Sequence, residues 1–306
     1  VQSVALKLVV DREKEIQNFK PEEYWTVTAE HEKDDIKFKS SLTSYKNKKI
    51  KPTNKEEVEK ILSAIKGQNF VVESITKKRT KSHALAPFTT STMQQDALNK
   101  LGMSLKRTTA SAQELYEGVE VKGEGKIALI TYIRTDSTRV SIEAQNACRD
   151  FIVEKYGKNY IPEKPNIYAS KKNAQDAHEA IRPISMQITP GKVKDSLSKD
   201  NYRLYKLIYE RFIASQMSEA EYSNVNVTFN VNDYNFKAVG KTLEFAGYTA
   251  VYKEYTDDEK QEISKLPVLN EGESVKVLKI TEEQKFTKPP ARYTEASLVK
   301  AMEEKG

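Results

Sequence analysis

The segment Ile130-Thr131-Tyr132-Ile133-Arg134-Thr135-Asp136-Ser137 sets a phenol beside a guanidinium at the end of an apolar run. The run predicts a strand over Lys126 to Ile133. Side chains two apart in a strand share a face, so Tyr132 and Arg134 are expected to point the same way. A phenol, with an ordinary pKa of about 10, is a poor nucleophile until a fixed cation stabilises its phenolate. Arg134 could be that cation, and a guanidinium can also fork onto two oxygens of a phosphodiester. The bland alternative is a core tyrosine in a buried strand followed by a surface charge.

Such a pair needs a scaffold, and 306 residues are enough for two or three domains. With 31% charged and 38% hydrophobic residues, the composition is that of an ordinary soluble protein, and no apolar run is long enough to cross a membrane. The single cysteine, Cys148, excludes an intramolecular disulfide and fits a reducing cytoplasm. It falls in a predicted helix, Ser141 to Tyr156, as a small core residue. Net charge is +6, and its distribution is uneven. Between Ile75 and Thr109 stand Lys77, Lys78, Arg79, Lys81, Lys100, Lys106 and Arg107 against Asp96 alone. That block is either a solvated face or part of a surface that tracks phosphates.

Periodicity predicts a helix over Val1 to Asn18, with Val4, Leu8 and Val9 toward a core, then a strand at Tyr24 to Ala29. A helix over Thr53 to Lys66 is capped by a Thr53/Glu56 box and stopped by Gly67, and Phe70 to Ile75 is a strand. Ser91 to Arg211 reads as mainly helical, broken by the tyrosine strand and by a loop over Pro162 to Lys172; Tyr202 to Ser215 closes it. A helix over Gln175 to Arg182, ended by Pro183, would put His178 and Arg182 on one face. Val225, Val227, Phe229 and Val231 then alternate with polar residues, and further strands are expected at Asn235 to Val239, Thr242 to Tyr252 and Ser274 to Ile280. Gly240-Lys241 suits a hairpin turn. Strands on both sides of a helical block suggest a β domain with a helical insertion.

Thr131 to Ser137 resembles the active-site signature of type IA DNA topoisomerases, and further motifs of that family stand in order around it. These are Val1-Gln2-Ser3-Val4-Ala5-Leu6, Ala86-Pro87-Phe88-Thr89-Thr90-Ser91-Thr92-Met93-Gln94-Gln95, Ala174 to Pro183, and Phe286 to Val299. The Val-Gln-Ser start and the Pro21-Glu22-Glu23-Tyr24-Trp25 stretch are most similar to the bacterial topoisomerase I branch. The resemblance implies an α+β multidomain fold: a β-rich arch interrupted by a mainly helical, winged-helix-like tyrosine domain, forming part of a ring around DNA. On that pattern residues 21–86 and 217–286 are the arch and 87–216 the tyrosine domain. Residues 1–20 and 287–306 are parts of a basal domain.

The resemblance also implies roles. Tyr132 matches the nucleophile that becomes joined to the 5′ phosphate of a broken strand, and Arg134 the residue that steadies the scissile phosphate. His178 matches a contact near that phosphate, with Arg182 completing a cationic pocket. Gln2 and Arg292 lie in motifs that face DNA. Asp136 either orients Arg134 or, with Thr135 and Ser137, is a turn and helix cap. The implied partners are single-stranded and negatively supercoiled DNA, with supercoil relaxation as the activity. The implied cofactor is Mg²⁺, held by an acidic domain preceding this segment. Within the chain itself no Mg²⁺-type acidic pattern is evident, since Asp34-Asp35 and Asp257-Asp258 lie in polar, loop-like stretches. Family members carry an Ala-Gly-Arg before the Val-Gln-Ser and an Ile-Gly-Arg-Pro-Ser-Thr-Tyr after the final Glu-Lys-Gly. The chain is therefore expected to be an internal segment of a cytoplasmic bacterial enzyme that does not relax DNA alone. The competing expectation is a gate module that holds single-stranded DNA without chemistry.

Overall fold

Three pairs of adjacent residues with positive φ, Asp34-Asp35, Lys46-Asn47 and Asn232-Asp233, bend the chain into tight two-residue hairpins. In the computed structural model, which describes residues 2–168, 178–253 and 265–305, these turns join β1 (Glu23–Lys33) to β2 (Ile36–Tyr45), β2 to β3 (Lys48–Lys49), and β7 (Ala220–Val231) to β8 (Tyr234–Phe245). Together with β4 (Phe70–Ser82) and β9 (Ser274–Phe286), they build one antiparallel sheet in the order β1-β9-β4-β7-β8-β2-β3. Because β1 also pairs with β2, six of these strands close on themselves as a barrel, with β3 appended at the rim. Closure removes the free edges that an open sheet would leave.

The barrel is filled by Phe70, Phe229, Phe236 and Val72 and plugged by Val58, Ile61 and Ile65 of α2 (Lys55–Ile65). The cap of α2 is one residue later than expected. Asn54, not Thr53, accepts from the Glu57 amide, and Glu57 reaches back to the Thr53 amide at 2.9 Å. The expected turn at Gly240-Lys241 is also overturned: β8 runs through it, with Gly240 opposite Val225 and Lys241 opposite Asn224. After Phe245 the expected strand is replaced by a short 3₁₀ turn, Gly247–Ala250. Gly247 has φ +48°, and a Cβ there would overlap the Glu219 carbonyl.

A second core gathers Phe88, Met93, Ile130, Tyr205 and Phe212. Its helices are α3 (Thr90–Leu101), α4 (Leu105–Glu117), α5 (Ile142–Tyr156), the single turn α6 (Pro190–Val193) and α7 (Lys199–Ser215). The long ribbon of β4 and β7, paired from Val71–Asn230 to Ser82–Ala220, connects this core to the barrel. At the junction Arg211 of α7 is buried. Its Nε donates to the Ala86 carbonyl at 2.7 Å, and its Nη1 lies 3.3 Å from Asp96 and 3.1 Å from the Tyr252 hydroxyl. One side chain thus ties together the entry to the helical region, α3, and the returning chain.

The terminal helices α1 (Gln2–Asn18) and α8 (Glu295–Glu304) pack on each other, and α8 packs on α3. Of the apolar residues expected inward on α1, only Leu8 is buried; Val4 is 50% and Val9 44% exposed. The helix is covered mainly along the side from which Arg12 reaches the Ala291 carbonyl and the Tyr293 ring. Asp34-Asp35 is a hairpin turn, whereas Asp257-Asp258 lies outside the described residues.

Candidate active site

The tyrosine does not sit on a strand. A two-stranded ribbon of β5 (Val119–Val121) and β6 (Gly125–Ile127) ends at Ile127, and beyond it the chain is irregular, with one isolated bridge, Ile130 to Pro183, and a bend at Ile133-Arg134. Proline has no amide to donate, so the ladder cannot propagate through that position. Single bonds hold the segment instead: Thr131 N–H to the Arg182 carbonyl at 2.9 Å, and Ile184 N–H to the Leu129 carbonyl at 3.0 Å. The two-residue alternation survives nonetheless. Tyr132, Arg134 and Asp136 are exposed, and Ile133, Thr135 and Ser137 are buried between them. The chain bends at Ile133 and Arg134, so the strand expected to put Tyr132 and Arg134 on one face is not formed.

The start of α3 clamps the loop from below. Thr89 and Thr92 form a reciprocal capping box. The next residue, Thr90, spends its side chain on the tyrosine loop. Its hydroxyl donates to the Ile133 carbonyl at 2.6 Å, with the Thr135 carbonyl at 3.1 Å, and accepts from the Thr135 amide at 2.9 Å. The Thr90 amide donates to the Thr135 carbonyl at 2.9 Å. The backbone on both sides of Arg134 is therefore fixed by one residue of the Phe88-Thr89-Thr90-Ser91 stretch.

Two rings flank the phenol. Tyr116 of α4 meets Tyr132 edge to face at 5.4 Å between centroids. The His178 imidazole lies tilted at 5.2 Å on the same ring. Tyr132 keeps 38% of its surface exposed, so it is held and still reachable. Neither Tyr116 nor Thr90 was evident as a site residue in the sequence, although consecutive threonines at a helix start are a cap signal.

The helix expected over Gln175 to Arg182 is overturned where it is described; Ala174 to Ala177 lie outside the described residues. From His178 the chain is extended, with Ile181 bridging Phe88 and the Ala180 amide on the Arg139 carbonyl. Pro183 disfavours a helical residue before it, and both neighbouring segments compete for the backbone. His178 and Arg182 consequently do not share a helix face. His178 stands against Tyr132. The Arg182 guanidinium is held by Glu179, at 2.8 Å from Nε and 2.6 Å from Nη2, with its side chain 12% exposed.

Arg134 and Asp136 are both exposed and form no ion pair with each other. The turn role falls to their neighbours, as the Thr135 hydroxyl accepts from Ser137 N–H at 3.0 Å and the Ser137 hydroxyl from Arg139 N–H at 3.2 Å. Arg292 forks onto Glu13, at 2.9 and 3.0 Å, and each partner holds the other's charge: the carboxyl is lowered and the guanidinium raised from their ordinary values. Gln2 begins α1, and its side chain lies outside the described residues. Cys148 is fully buried, and burial pushes its thiol up.

Much of the basic block is internally paired. Arg79 meets Glu244 at 3.2 Å, Lys81 meets Glu219 at 3.1 Å, and Arg107 forks onto Asp200. Lys77, Lys78 and Lys106 are the exposed cations left without an ion pair among the described residues. Also among the described residues, no three His, Cys, Asp or Glu side chains converge as a metal donor set. No helix there is long and apolar enough to cross a membrane.

A clamped, exposed phenol beside an imidazole, with an exposed guanidinium two residues along the chain, is an arrangement suited to attack on a phosphodiester. The family model for DNA topoisomerase matches residues 1–306. The solved structure of full-length topoisomerase I from Thermotoga maritima is similar, with a TM-score of 0.83 and 37% sequence identity over 99% of this chain and 47% of that one. The chain thus spans about half the length of that relative. Motifs, site and fold agree that the chain belongs to the bacterial type IA DNA topoisomerase family.

Proposed function

We propose that this chain is the arch and tyrosine segment of an enzyme that cuts and reseals one DNA strand to relax negative supercoils. Residues 21–86 and 217–286 serve as the arch, 87–216 as the tyrosine domain, and the two ends as parts of the base. The Tyr132 oxygen attacks a backbone phosphorus, the bond to the 3′ oxygen breaks, and the 5′ phosphate remains on the tyrosine. One phosphoester forms as one is lost, so resealing by the 3′ hydroxyl needs no ATP. Arg134 holds the phosphate's non-bridging oxygens, where charge accumulates in the transition state.

The observation that carries this reading is the placement of Tyr132: exposed, alternating with anchored neighbours, and wedged between Tyr116 and His178. His178, against the Tyr132 ring, is proposed to contact the same phosphate. Gln2, Asp136, Arg182 and Arg292 are proposed DNA contacts, Arg182 and Arg292 only after release from Glu179 and Glu13. Magnesium in the longer enzyme is assigned no ligand from this chain. Since the chain spans 47% of its relative, the isolated segment is proposed to hold single-stranded DNA without relaxing supercoils. Its place is the bacterial cytoplasm.

The test is to quench the longer enzyme on a single-stranded oligonucleotide with detergent and map the adduct by mass spectrometry. The expected result is a nucleotide phosphate on the Tyr132 peptide. An adduct on any other residue overturns the assignment.

A further inference from the structure

The rim of the barrel carries cations that the tyrosine loop does not use. Lys46, Lys48, Lys49 and Lys51 fall in one short stretch with no acid among them. With Lys60 of α2, they form no ion pair among the described residues. Lysines on a sheet edge ordinarily prevent pairing with another chain, which accounts for Lys48 and Lys49 of β3. It does not account for what lies beside them. Tyr45, Tyr234, Ile50, Pro52, Lys51 and Lys60 wall an open hollow of about 320 Å³, within the range of small ligand sites, about 300–1,000 Å³.

The Tyr45 and Tyr234 rings pack 4.5 Å apart as a cross-strand pair of β2 and β8. The Lys46 ammonium lies 5.3 Å above the Tyr45 ring, and Lys51 lies 3.8 Å above that of Tyr24. The carboxylate in the wall, Glu57, is occupied by the start of its own helix, accepting from the Thr53 amide at 2.9 Å and from the Asn54 side chain at 3.1 Å. The surface is thus aromatic in the middle and cationic around it.

We propose that this hollow is a second binding site for single-stranded nucleic acid, separate from the tyrosine loop. A base lies against the Tyr45/Tyr234 pair, and the flanking phosphates lie on Lys46, Lys48 and Lys49. Every base has a face that can stack on an aromatic ring, and lysines around that ring track the backbone, so such a site is tolerant of sequence. An acidic peptide would satisfy the lysines and leave the tyrosine wall unused. The choice of nucleic acid over other polyanions rests on the function proposed above; the site itself does not depend on Tyr132.

The experiment uses the whole chain and an oligothymidylate carrying one photoreactive 5-iodouracil. Irradiation is expected to crosslink Tyr45 or Tyr234, and Lys48→Glu/Lys49→Glu to lower the crosslink yield at least tenfold. In anisotropy titrations that double variant should reduce the slope of log affinity against log salt by about 1.4, the value for two lost single-strand phosphate contacts. Tyr234→Ala should weaken binding about tenfold at every salt concentration and leave the slope unchanged. If that variant does not fold, the lysine pair, whose side chains are exposed, decides alone. Absence of crosslinks at the rim, an unchanged slope in the lysine variant, or equal competition by polyglutamate overturns the proposal. Tyr132→Phe serves as a control: rim crosslinks that persist while Tyr132 proves not to be the nucleophile would leave this site standing and the proposed reaction rejected.

Discussion

The Thr90 hydroxyl sits 2.6 Å from the Ile133 carbonyl and 2.9 Å from the Thr135 amide, one hydrogen-bonding group bracketing Arg134. Thr90→Val removes both bonds at nearly constant volume and leaves a part-buried carbonyl and amide without that partner. The expected loss of stability is about 1–3 kcal/mol. Cleavage in the proposed longer enzyme should fall more than oligonucleotide binding, because the loop carrying Arg134 loses its anchor. Cleavage and anisotropy measured on one preparation check this; equal losses in both would show that Thr90 does no positioning.

Arg134→Lys keeps the charge and loses the fork. A guanidinium presents two parallel donors to a phosphate, whereas an ammonium is a mobile point charge. Loss of one charge-assisted bond at a developing anion corresponds to about 10²–10³ in rate. Single-turnover cleavage at saturating DNA measures it, and equal rates for Arg and Lys would reduce Arg134 to a general positive charge.

His31 lies buried among Phe38, Phe70 and Phe229, with Nε2 2.6 Å from the Ser40 hydroxyl. Burial holds its pKa down at about 4 against an ordinary 6.5. The imidazole is neutral in the fold, while the unfolded chain takes up a proton between those values. Its contribution is therefore fully present above the ordinary value and is lost as pH falls from 6.5 toward 4, by up to about 3 kcal/mol. Denaturant midpoints at pH 7.5, 6 and 5 should fall for the natural chain and flatten in His31→Phe. Parallel slopes in the two proteins would place the acid sensitivity elsewhere.

Arg211→Met breaks the buried cluster that joins Ala86, Asp96 and Tyr252. Breaking a buried ion pair on one side costs about 3–5 kcal/mol. Asp96→Asn in the same chain should recover part of that loss, since it removes the carboxylate left behind. Urea unfolding of the two single variants and the double variant gives the coupling, and strict additivity would show that the groups act independently.

The alternation of exposed Tyr132, Arg134 and Asp136 with buried Ile133, Thr135 and Ser137 was legible in the sequence. The absence of a ladder was not, since it depends on Pro183, far along the chain. The pairing of His178 and Arg182 misled for a related reason: a four-residue spacing fits a helix, but Pro183 and the bridge to Phe88 impose an extended chain. Gly240 invited a turn where the chain needed a buried strand residue, while the real turns used Asp, Asn and Lys. The pairings of β9 with β1, β7 with β4 and β8 with β2, and the carboxylate partners of the basic block, are non-local, and no window of sequence displays them. The motifs carried the family, and the fold supplied Thr90 and Tyr116.

Tyr132→Phe in the proposed longer enzyme deletes the oxygen proposed to attack and keeps the ring between Tyr116 and His178. The measurement is covalent capture of an end-labelled single-stranded oligonucleotide on a denaturing gel, beside its affinity by anisotropy. The expected result is no covalent species and an affinity within about threefold of the natural enzyme, since one exposed hydroxyl contributes at most a modest hydrogen bond. A covalent adduct formed by the phenylalanine variant would contradict it.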